Sequence, residues 1–445
     1  MRVLLIAEAC NPEMVSVPLE GWSHSRAIAR LVDAHLVTQV RNRDAIVRAG
    51  LIEGKDFTVI DSEPVARRAY QIAGMVRGGA GKGWTVVSGL SALAYPFFEH
   101  LLWKQFGRRI KSGEFDVVHR LIPLSPTTPS FLSGWCRRAG VPFLLGPLNG
   151  GVPWPRDFDS TRRQENEWLS YVRDAYKLLP GYHATRRNAA AILIGSSETW
   201  RQMPRCYHRR CIYVPENAID PARFTKRRTR RTSKPVRAAF VGRLVPLKGA
   251  DMLIEAAAPL LRDGSLTLEL IGDGPQMADL RELARRESVQ HAATFAGWVN
   301  HTELQDRLID ADLFTFPSIR EFGGAVVLEA MAVGLVPIVM NYGGPGELVT
   351  EQTGFRIPMG TRREIIKRLR ALLTRLVEDP RQIDAKSQPA ILRARGQFTW
   401  DAKAAQTVLA YEWVLGRLEK PCFGMPLPDF PAGAATHVDG GTAVS

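Results

Sequence analysis

Two glutamates, Glu321 and Glu329, stand on either side of the start of a strongly apolar helical pattern. The pattern runs over 325–333, carries no charged residue besides Glu329, and ends at a glycine. A helix that is apolar on every side is buried, and a buried carboxylate without a polar partner costs several kcal/mol. The partner that we expect for Glu329 is a buried arginine, a backbone amide, a proton, or the hydroxyls of a ligand diol, as in sites that bind ribose.

The loop before this helix contains Gly323 and Gly324, which allow backbone amides at a helix start to approach an anion closely. A second loop places Arg243 and Lys248 between two glycines, directly after a strand pattern. A guanidinium fork and an ammonium point charge are both suited to binding a diphosphate. Together the two loops predict a site for a sugar and a phosphate. The competing interpretation is a packed strand–helix unit with a capping glutamate and solvated cations.

Short apolar or β-branched runs alternate with longer helical patterns along the chain, which is typical of parallel βαβ units. Ligands of such sheets bind beyond the carboxyl ends of the strands, where both loops would lie. The first half holds six predicted strands, enough for one complete sheet, at 3–7, 35–40, 57–60, 116–119, 142–145 and 190–194. The alternation restarts with predicted strands at 236–241, 266–271, 293–295, 313–316 and 335–339.

This alternation predicts two α/β domains, at 1–222 and 223–399, and a helical segment at 400–419 that joins the first domain. The basic run over 224–237 is interpreted as an exposed linker. The segment 421–445 is rich in Pro, Gly and Ala and is predicted to be disordered.

The composition excludes two classes of protein. With 445 residues, 45% of them hydrophobic, the chain is too long for a single small binding module and too apolar for global disorder. Its net charge of +14 favours an anionic partner. Five cysteines do not form a disulfide framework, and neither a signal peptide nor a membrane-spanning segment is predicted, so we expect a cytoplasmic protein.

Five motifs follow one another in the second half of the chain. They are Gly-Arg at 242–243 with Lys-Gly at 248–249, Gly-Asp-Gly-Pro at 272–275, Phe-Ala-Gly-Trp at 295–298, Pro-Ser at 317–318 with the two glutamates, and Gly-Gly-Pro-Gly-Glu at 343–347. Their order resembles that of the family 4 retaining glycosyltransferases, over about 236–355. The resemblance implies the GT-B fold, in which two Rossmann-like, doubly wound parallel-sheet domains face each other across a cleft.

The resemblance also implies a role for each matching residue. Arg243 and Lys248 would bind the diphosphate of a nucleotide sugar, Glu329 the ribose hydroxyls, and Glu321 the transferred sugar. Backbone amides would surround the sugar and the phosphate at Phe322, Gly323 and Gly324.

In the first domain the resemblance is weaker. Asp-Val-Val-His at 116–119 is similar to the strand end whose histidine lies against the donor sugar, so His119 is the candidate catalytic residue there, beside Glu321. Family members commonly have paired glycines after the first strand, whereas this chain has only Gly21 as a candidate phosphate contact. The glycine-rich stretch 146–151 follows another strand, and we expect it to face the cleft on the side of the acceptor.

The function implied is transfer of a sugar from a nucleoside diphosphate sugar to a saccharide or lipid-linked acceptor, with retention of configuration. The cations take the place of a metal, so no cofactor is expected. Two Asp-x-Asp triplets, at 157–159 and 310–312, are of the kind that holds a cation on a diphosphate. We assign them to chance or to capping.

The sequence also bears on three other interpretations. A nucleic-acid-binding protein is disfavoured because the basic runs lack interleaved aromatics, and a Rossmann oxidoreductase because Gly-x-Gly-x-x-Gly is missing after the first strand. The apolar, aromatic stretch 84–103 and the cations that flank it would also suit contact with the inner face of the plasma membrane. A buried helix is the alternative for that stretch.

Overall fold

The computed structural model describes residues 1–64, 84–164, 175–178, 181–229 and 232–429, with side chains left out at 84–93, 164, 175 and 176. The chain forms two compact units. Unit 1 comprises Met1–Val152, Arg162–Asn217 and Trp400–Met425, and unit 2 comprises Pro153–Thr161, Ala218–Thr399 and the chain from Pro426 onward. The main boundary between the units lies between Asn217 and Ala218, whereas the predicted boundary lay at 222/223. In addition, the short segment 153–161 belongs to unit 2.

Unit 1 is built on a seven-stranded parallel sheet in the order β3-β2-β1-β4-β5-β6-β7. Its strands are β1 Arg2–Ala7, β2 Asp33–Gln39, β3 Phe57–Ile60, β4 Val117–Ile122, β5 Phe143–Leu148, β6 Ala191–Ile194 and β7 Cys211–Tyr213. Val3 in β1 pairs with Ala34 on one side and Val117 on the other. Six of these strands were predicted, and the expectation that six complete the sheet is wrong, because β7 is too short to show a pattern.

The helices of unit 1 are α1 Val17–Ala29, α2 Arg43–Arg48, α3 Trp84–Lys111, α4 Leu132–Ala139, α5 Asp159–Gln164, α6 Tyr182–Asn188 and α7 Ser197–Gln202, with residues 159–161 of α5 assigned to unit 2. Short 3-10 helices lie at Val40–Asn42, Ala175–Leu178 and Arg205–Arg210, and a further one at Arg156–Phe158 belongs to unit 2.

Helix α3 supplies part of the core of unit 1. Tyr95, Phe98 and Leu102 are buried, together with β4 and β5. This part of the stretch predicted to contact a membrane therefore packs inside the protein. The side chains of 84–93 lie outside the described residues.

Unit 2 is built on a six-stranded parallel sheet in the order β10-β9-β8-β11-β12-β13. Its strands are β8 Val236–Val241, β9 Leu266–Ile271, β10 Ala293–Gly297, β11 Leu313–Phe316, β12 Val336–Met340 and β13 Phe355–Ile357. Ala238 in β8 pairs with Leu313 in β11. The strand order reverses between β8 and β11, which is the point where ligands bind in open α/β sheets.

The helices of unit 2 are α8 Ala250–Arg262, α9 Met277–Arg286, α10 Leu304–Leu308, α11 Ala325–Val333, α12 Gly343–Leu348, α13 Arg362–Glu378 and α14 Arg381–Gln397, with a 3-10 turn at Pro246–Lys248. Helix α13 begins with a capping box, in which Thr361 and Glu364 each bond the other's backbone N–H. Helix α11 is buried over most of its length, as its apolar sequence predicts.

The last helix, α15 Trp400–Val414, returns to unit 1 and packs along α1. In the segment that follows this helix, the carbonyls of Leu427 and Pro428 accept hydrogen bonds from Arg393 of unit 2. The part of the predicted disordered tail at 430–445 lies outside the described residues.

Two further expectations bear on the surface. The basic run 224–237 is not fully exposed, because the Arg228 side chain is buried and paired with Asp312. Within the part of the chain that the structure describes, every helix is too short or too polar to span a bilayer.

Candidate functional site

The loops after β8 and β11 are packed directly against each other at the switch point of unit 2. The Ile319 N–H donates to the Leu247 carbonyl at 3.0 Å, and the Ser318 hydroxyl donates to the same oxygen at 3.2 Å. Gly249 has φ of +71°, and a Cβ there would lie 2.6 Å from the Pro317 carbonyl oxygen. Only glycine fits this close approach, so the glycine after Lys248 fixes how the two loops meet.

The two predicted cations of the first loop have different surroundings. The Lys248 ammonium binds the Glu321 carboxylate, and it lies 5.1 Å from the centre of the Phe316 ring. Arg243 is exposed. Among the described residues, its carbonyl accepts from the Val245 N–H, and its guanidinium makes no ion pair or hydrogen bond. The site therefore holds one cation neutralised by a carboxylate and one that is open to an anion.

The loop 321–324 is held at the start of α11 by the next strand–helix loop. The Gly344 N–H donates to the Glu321 carbonyl at 3.2 Å, and a Cβ on Gly344 would overlap the carbonyl oxygens of Phe322 and Gly323. Gly324 has φ of +80° and begins the helix. The positive end of the helix dipole thus lies beside the residues predicted to surround sugar and phosphate.

A cation between two aromatic rings supports this loop, and the sequence motifs did not indicate it. The Arg320 guanidinium lies 5.0 Å from the Trp154 ring and 4.9 Å from the Phe322 ring. Trp154 belongs to the segment 153–161, and the Tyr342 hydroxyl donates to the Pro153 carbonyl at 2.8 Å. This segment is distant in sequence from the rest of unit 2, and it packs on the loop of Glu321.

Glu329 does have a polar partner, and it is none of those expected from the sequence. His301 Nε2 lies 2.8 Å from Glu329 Oε1, with the two side chains 23% and 14% exposed. His301 follows β10 by a few residues, so this contact brings the loop after β10 to α11. The five motifs therefore converge on the carboxyl edge of a single sheet.

In unit 1, His119 is fully buried on β4 and both of its ring nitrogens have partners. Nε2–H donates to the Gly146 carbonyl at 2.7 Å, so Nδ1 accepts from the Tyr411 hydroxyl at 2.6 Å. Burial lowers the pKa of His119 to about 3. These contacts account for a neutral core histidine, and the role against a donor sugar stays a prediction.

Gly21 lies within α1, not in an open loop. A Cβ on Gly21 would overlap the Ala9 carbonyl oxygen, so the glycine permits α1 to pack against the loop after β1. Its predicted phosphate contact stays a prediction, and close packing explains why a glycine stands there.

The stretch 146–151, which is predicted to face the acceptor, is hydrogen-bonded to a residue near the end of the middle segment of unit 1. The Asn149 side-chain amide donates to the Glu216 carboxylate, and the Lys403 ammonium donates to the Glu216 carbonyl. Burial lowers the pKa of Lys403 to about 8.

Of the Asp-x-Asp triplets, 310–312 has a structural explanation, since Asp312 is buried and accepts from Arg228 and from the Arg237 N–H. Across the described ranges, no three His, Cys, Asp or Glu side chains are grouped as metal ligands would be.

The second half of the chain is similar to known glycosyltransferase sequences. Residues 222–388 match the family model of glycosyl transferases group 1. Glycogen synthase of Mycobacterium tuberculosis (strain CDC 1551 / Oshkosh) is 34% identical over 203 residues, which are 45% of this chain and 48% of that protein. The D-inositol 3-phosphate glycosyltransferase of Kineococcus radiotolerans is 33% identical over 192 residues, which are 39% and 43% of the two chains. The chain spans about half the length of these relatives.

Solved structures are similar over nearly the whole chain. Sucrose-phosphate synthase from Thermosynechococcus elongatus has a TM-score of 0.59 at 16% identity, covering 94% of this chain and 100% of that one. Anabaena HepE in complex with UDP has a TM-score of 0.57 at 14% identity, covering 92% and 99%. At such low identity these likenesses show the fold alone. They confirm the predicted GT-B fold class.

Proposed function

We propose that the protein transfers a sugar from a nucleoside diphosphate sugar to a hydroxyl of a saccharide or lipid-linked saccharide, since residues 222–388 match the family model of glycosyl transferases group 1. The observation that carries the proposal is the convergence of Arg243, Lys248 and the start of α11 at the switch point of unit 2. Two cations and a helix N-terminus form the environment that a diphosphate requires. Anabaena HepE, which is similar in structure, was solved in complex with UDP, and this is in keeping with such a donor.

In the proposed reaction, the bond between the anomeric carbon and the β-phosphate oxygen breaks, and a bond from that carbon to the acceptor oxygen forms on the same face. The acceptor proton passes to the departing phosphate oxygen. Arg243, Lys248 and the amides at Gly323 and Gly324 stabilise the charge that develops on the diphosphate. Glu321 orients the transferred sugar, so neither it nor Glu329 becomes a covalent nucleophile.

The proposal includes independence from divalent metals, because fixed cationic side chains supply the charge that a metal provides in other transferases. Its test is turnover in excess EDTA with the sugar donor that the protein uses. Unchanged turnover supports the proposal, and loss of turnover that Mg²⁺ or Mn²⁺ restores contradicts it.

The donor is tested by thermal shift with UDP, GDP, ADP and their sugar conjugates, on the wild type and on Glu329→Ala and Lys248→Ala. We expect one base to raise the melting temperature of the wild type and neither variant to respond. The anomeric configuration of the product, read by NMR, tests retention. Stabilisation by NAD or by RNA, with none by any nucleoside diphosphate, would instead favour an oxidoreductase or a nucleic-acid-binding protein.

We further propose a cytoplasmic location with peripheral contact to anionic lipid, through the last turns of α3 and its neighbour α4. Lys104, Arg108 and Lys111 are exposed there. The half-buried rings of Trp103 and Trp135 lie 5.3 Å apart beside them. The sequence from Trp84 to Gly113 contains a single acidic residue, Glu99, which is buried. Exposed cations beside tryptophans suit the headgroup region of an anionic membrane.

Sedimentation with phosphatidylglycerol vesicles at low and high salt tests this contact. We expect binding at low salt that high salt reverses, and its loss in the variant Lys104→Glu with Arg108→Glu. Arg363→Glu with Lys367→Glu, two exposed cations of α13, is the control with the same change of charge. Equal binding of both variants, or none by the wild type at low salt, would refute the membrane contact.

A further inference from the structure

The contact between His301 and Glu329 has no part in the reaction as proposed. His301 Nε2 is 2.8 Å from Glu329 Oε1, and because a carboxylate only accepts, this nitrogen carries the proton. Within the described ranges, His301 is the single hydrogen-bond partner of the Glu329 side chain. One carboxylate oxygen is therefore held by the protein, while Oε2 stays available to a ligand.

The His301 ring is oriented by contacts that do not involve Glu329. It packs nearly perpendicular to the Phe224 ring, with centroids 5.6 Å apart. The turn that carries it is closed by Asn300, whose side-chain oxygen accepts from the Thr302 N–H at 3.1 Å. The donor nitrogen is thus aimed at Glu329 before any ligand arrives.

The second ring nitrogen of His301 distinguishes it from a histidine with a purely structural role. Nδ1 is buried and has no hydrogen-bond partner in the described part of the chain. His119, by contrast, satisfies both of its nitrogens within the core. Leaving a ring nitrogen unpaired costs free energy, so packing alone does not explain His301 at this position.

We propose that His301 is a positioning residue for the ribose of the nucleotide. Its Nε2–H fixes the Glu329 carboxylate so that Oε2, and the second lone pair of Oε1, accept from the two ribose hydroxyls. The inference rests on the proposed function, because it names the part of the donor that Glu329 recognises. It predicts that His301 contributes to ribose recognition and not to binding of the diphosphate.

The test uses calorimetric titration of the full-length protein. Whichever of UDP, GDP and ADP binds the wild type is compared with its 2′,3′-dideoxy form and with inorganic pyrophosphate. We expect His301→Ala to weaken the ribonucleotide about tenfold, the factor for one lost hydrogen bond to a carboxylate. The dideoxy form and pyrophosphate should keep their affinity, and His301→Gln, which retains an N–H, should recover most of the loss.

His291→Ala, an exposed histidine in the same unit, is the control and should bind all three ligands normally. Equal loss of all three ligands in both His301 variants would show a structural role and overturn the inference. Unchanged ribonucleotide binding in His301→Ala would also overturn it, and so would a further loss when His301→Ala is added to Glu329→Ala. If none of the three diphosphates binds the wild type, the proposed function itself fails.

Discussion

Glu321 competes for the charge that a diphosphate needs, since its carboxylate already binds the Lys248 ammonium. We predict that Glu321→Gln binds the nucleoside diphosphate more tightly than the wild type, by roughly fivefold, because a partly buried ion pair of about 1 kcal/mol no longer has to break. The same variant should transfer sugar more slowly, since Glu321 orients the donor sugar. Calorimetry and a transfer assay measure the two effects.

Glu351→Gln is the control for this change, because Glu351 is an exposed carboxylate of the same unit. It should change neither quantity. A Glu321→Gln protein that binds the diphosphate more weakly would show that the carboxylate supports Lys248 instead of competing for it.

The buried His119 should make the stability of unit 1 depend on pH. Its pKa is lowered by burial from 6.5 to about 3, so between these values the unfolded chain binds a proton that the folded chain does not. Stability is therefore lost as pH falls from about 6.5, by about 2 kcal/mol between pH 8 and pH 5 for this residue alone. His119→Gln, which can bond both partners but does not titrate, should lack this loss in urea unfolding at the two pH values. Equal acid sensitivity of the two proteins would contradict the assignment.

Residue types and spacing were enough to single out Lys248, Glu321 and Glu329 in unit 2. Spacing did not reveal His301, because its partner lies on another element and no motif links the two. The position following Phe-Ala-Gly-Trp at 295–298 was a signal that it lies near the same strand edge. His119 was chosen by resemblance, and its partner Tyr411 is too distant in sequence for any local pattern to connect them.

At the scale of elements, the approach of two loops depends on one glycine. Gly249 and Gly264 both have φ of +71°, but a Cβ has open space at Gly264 and meets the Pro317 carbonyl oxygen at Gly249. We predict that Gly264→Ala costs about 1 kcal/mol from backbone strain alone, whereas Gly249→Ala costs about 2 kcal/mol more from overlap. Urea unfolding measures both.

The second effect of Gly249→Ala should be on binding, because it displaces the loop of Lys248 from the start of α11. Affinity for the nucleoside diphosphate should fall for Gly249→Ala and stay unchanged for Gly264→Ala. Equal destabilisation by the two substitutions would mean that the loops can separate at no cost.

The strands β8, β9 and β11 were predicted to the residue, since each is a short run in which apolar residues predominate. The runs suffice because central parallel strands are buried on both faces. The edge strands β7 and β13 were missed, since each has three residues and leaves no run to detect. The segment 153–161 was assigned by chain order to the first domain, and only the contacts of Pro153 and Trp154 place it in unit 2.

At the scale of the whole molecule, unit 1 is completed by a helix that the chain reaches only after finishing unit 2. Tyr411 on α15 is fully buried, while Leu409 on the same helix is 38% exposed. We predict that Tyr411→Ala destabilises unit 1 by about 3–5 kcal/mol, as for a large aromatic side chain removed from a core. Leu409→Ala should cost less than about 1 kcal/mol, and Tyr411→Phe should lose only the hydrogen bond to His119.

Urea unfolding followed by hydrogen exchange distinguishes the two units in this experiment. In Tyr411→Ala, amides of β1 and β4 should lose protection at lower denaturant, because α15 covers the elements that pack on these strands. Amides of β8 and β11 should keep theirs, since their contacts lie in unit 2. The nucleoside diphosphate should still protect unit 2 in the variant, since the proposed diphosphate and ribose contacts are all residues of that unit. Simultaneous loss of protection in both sheets would show instead that the two units unfold as one, and that the last helix stabilises the entire chain.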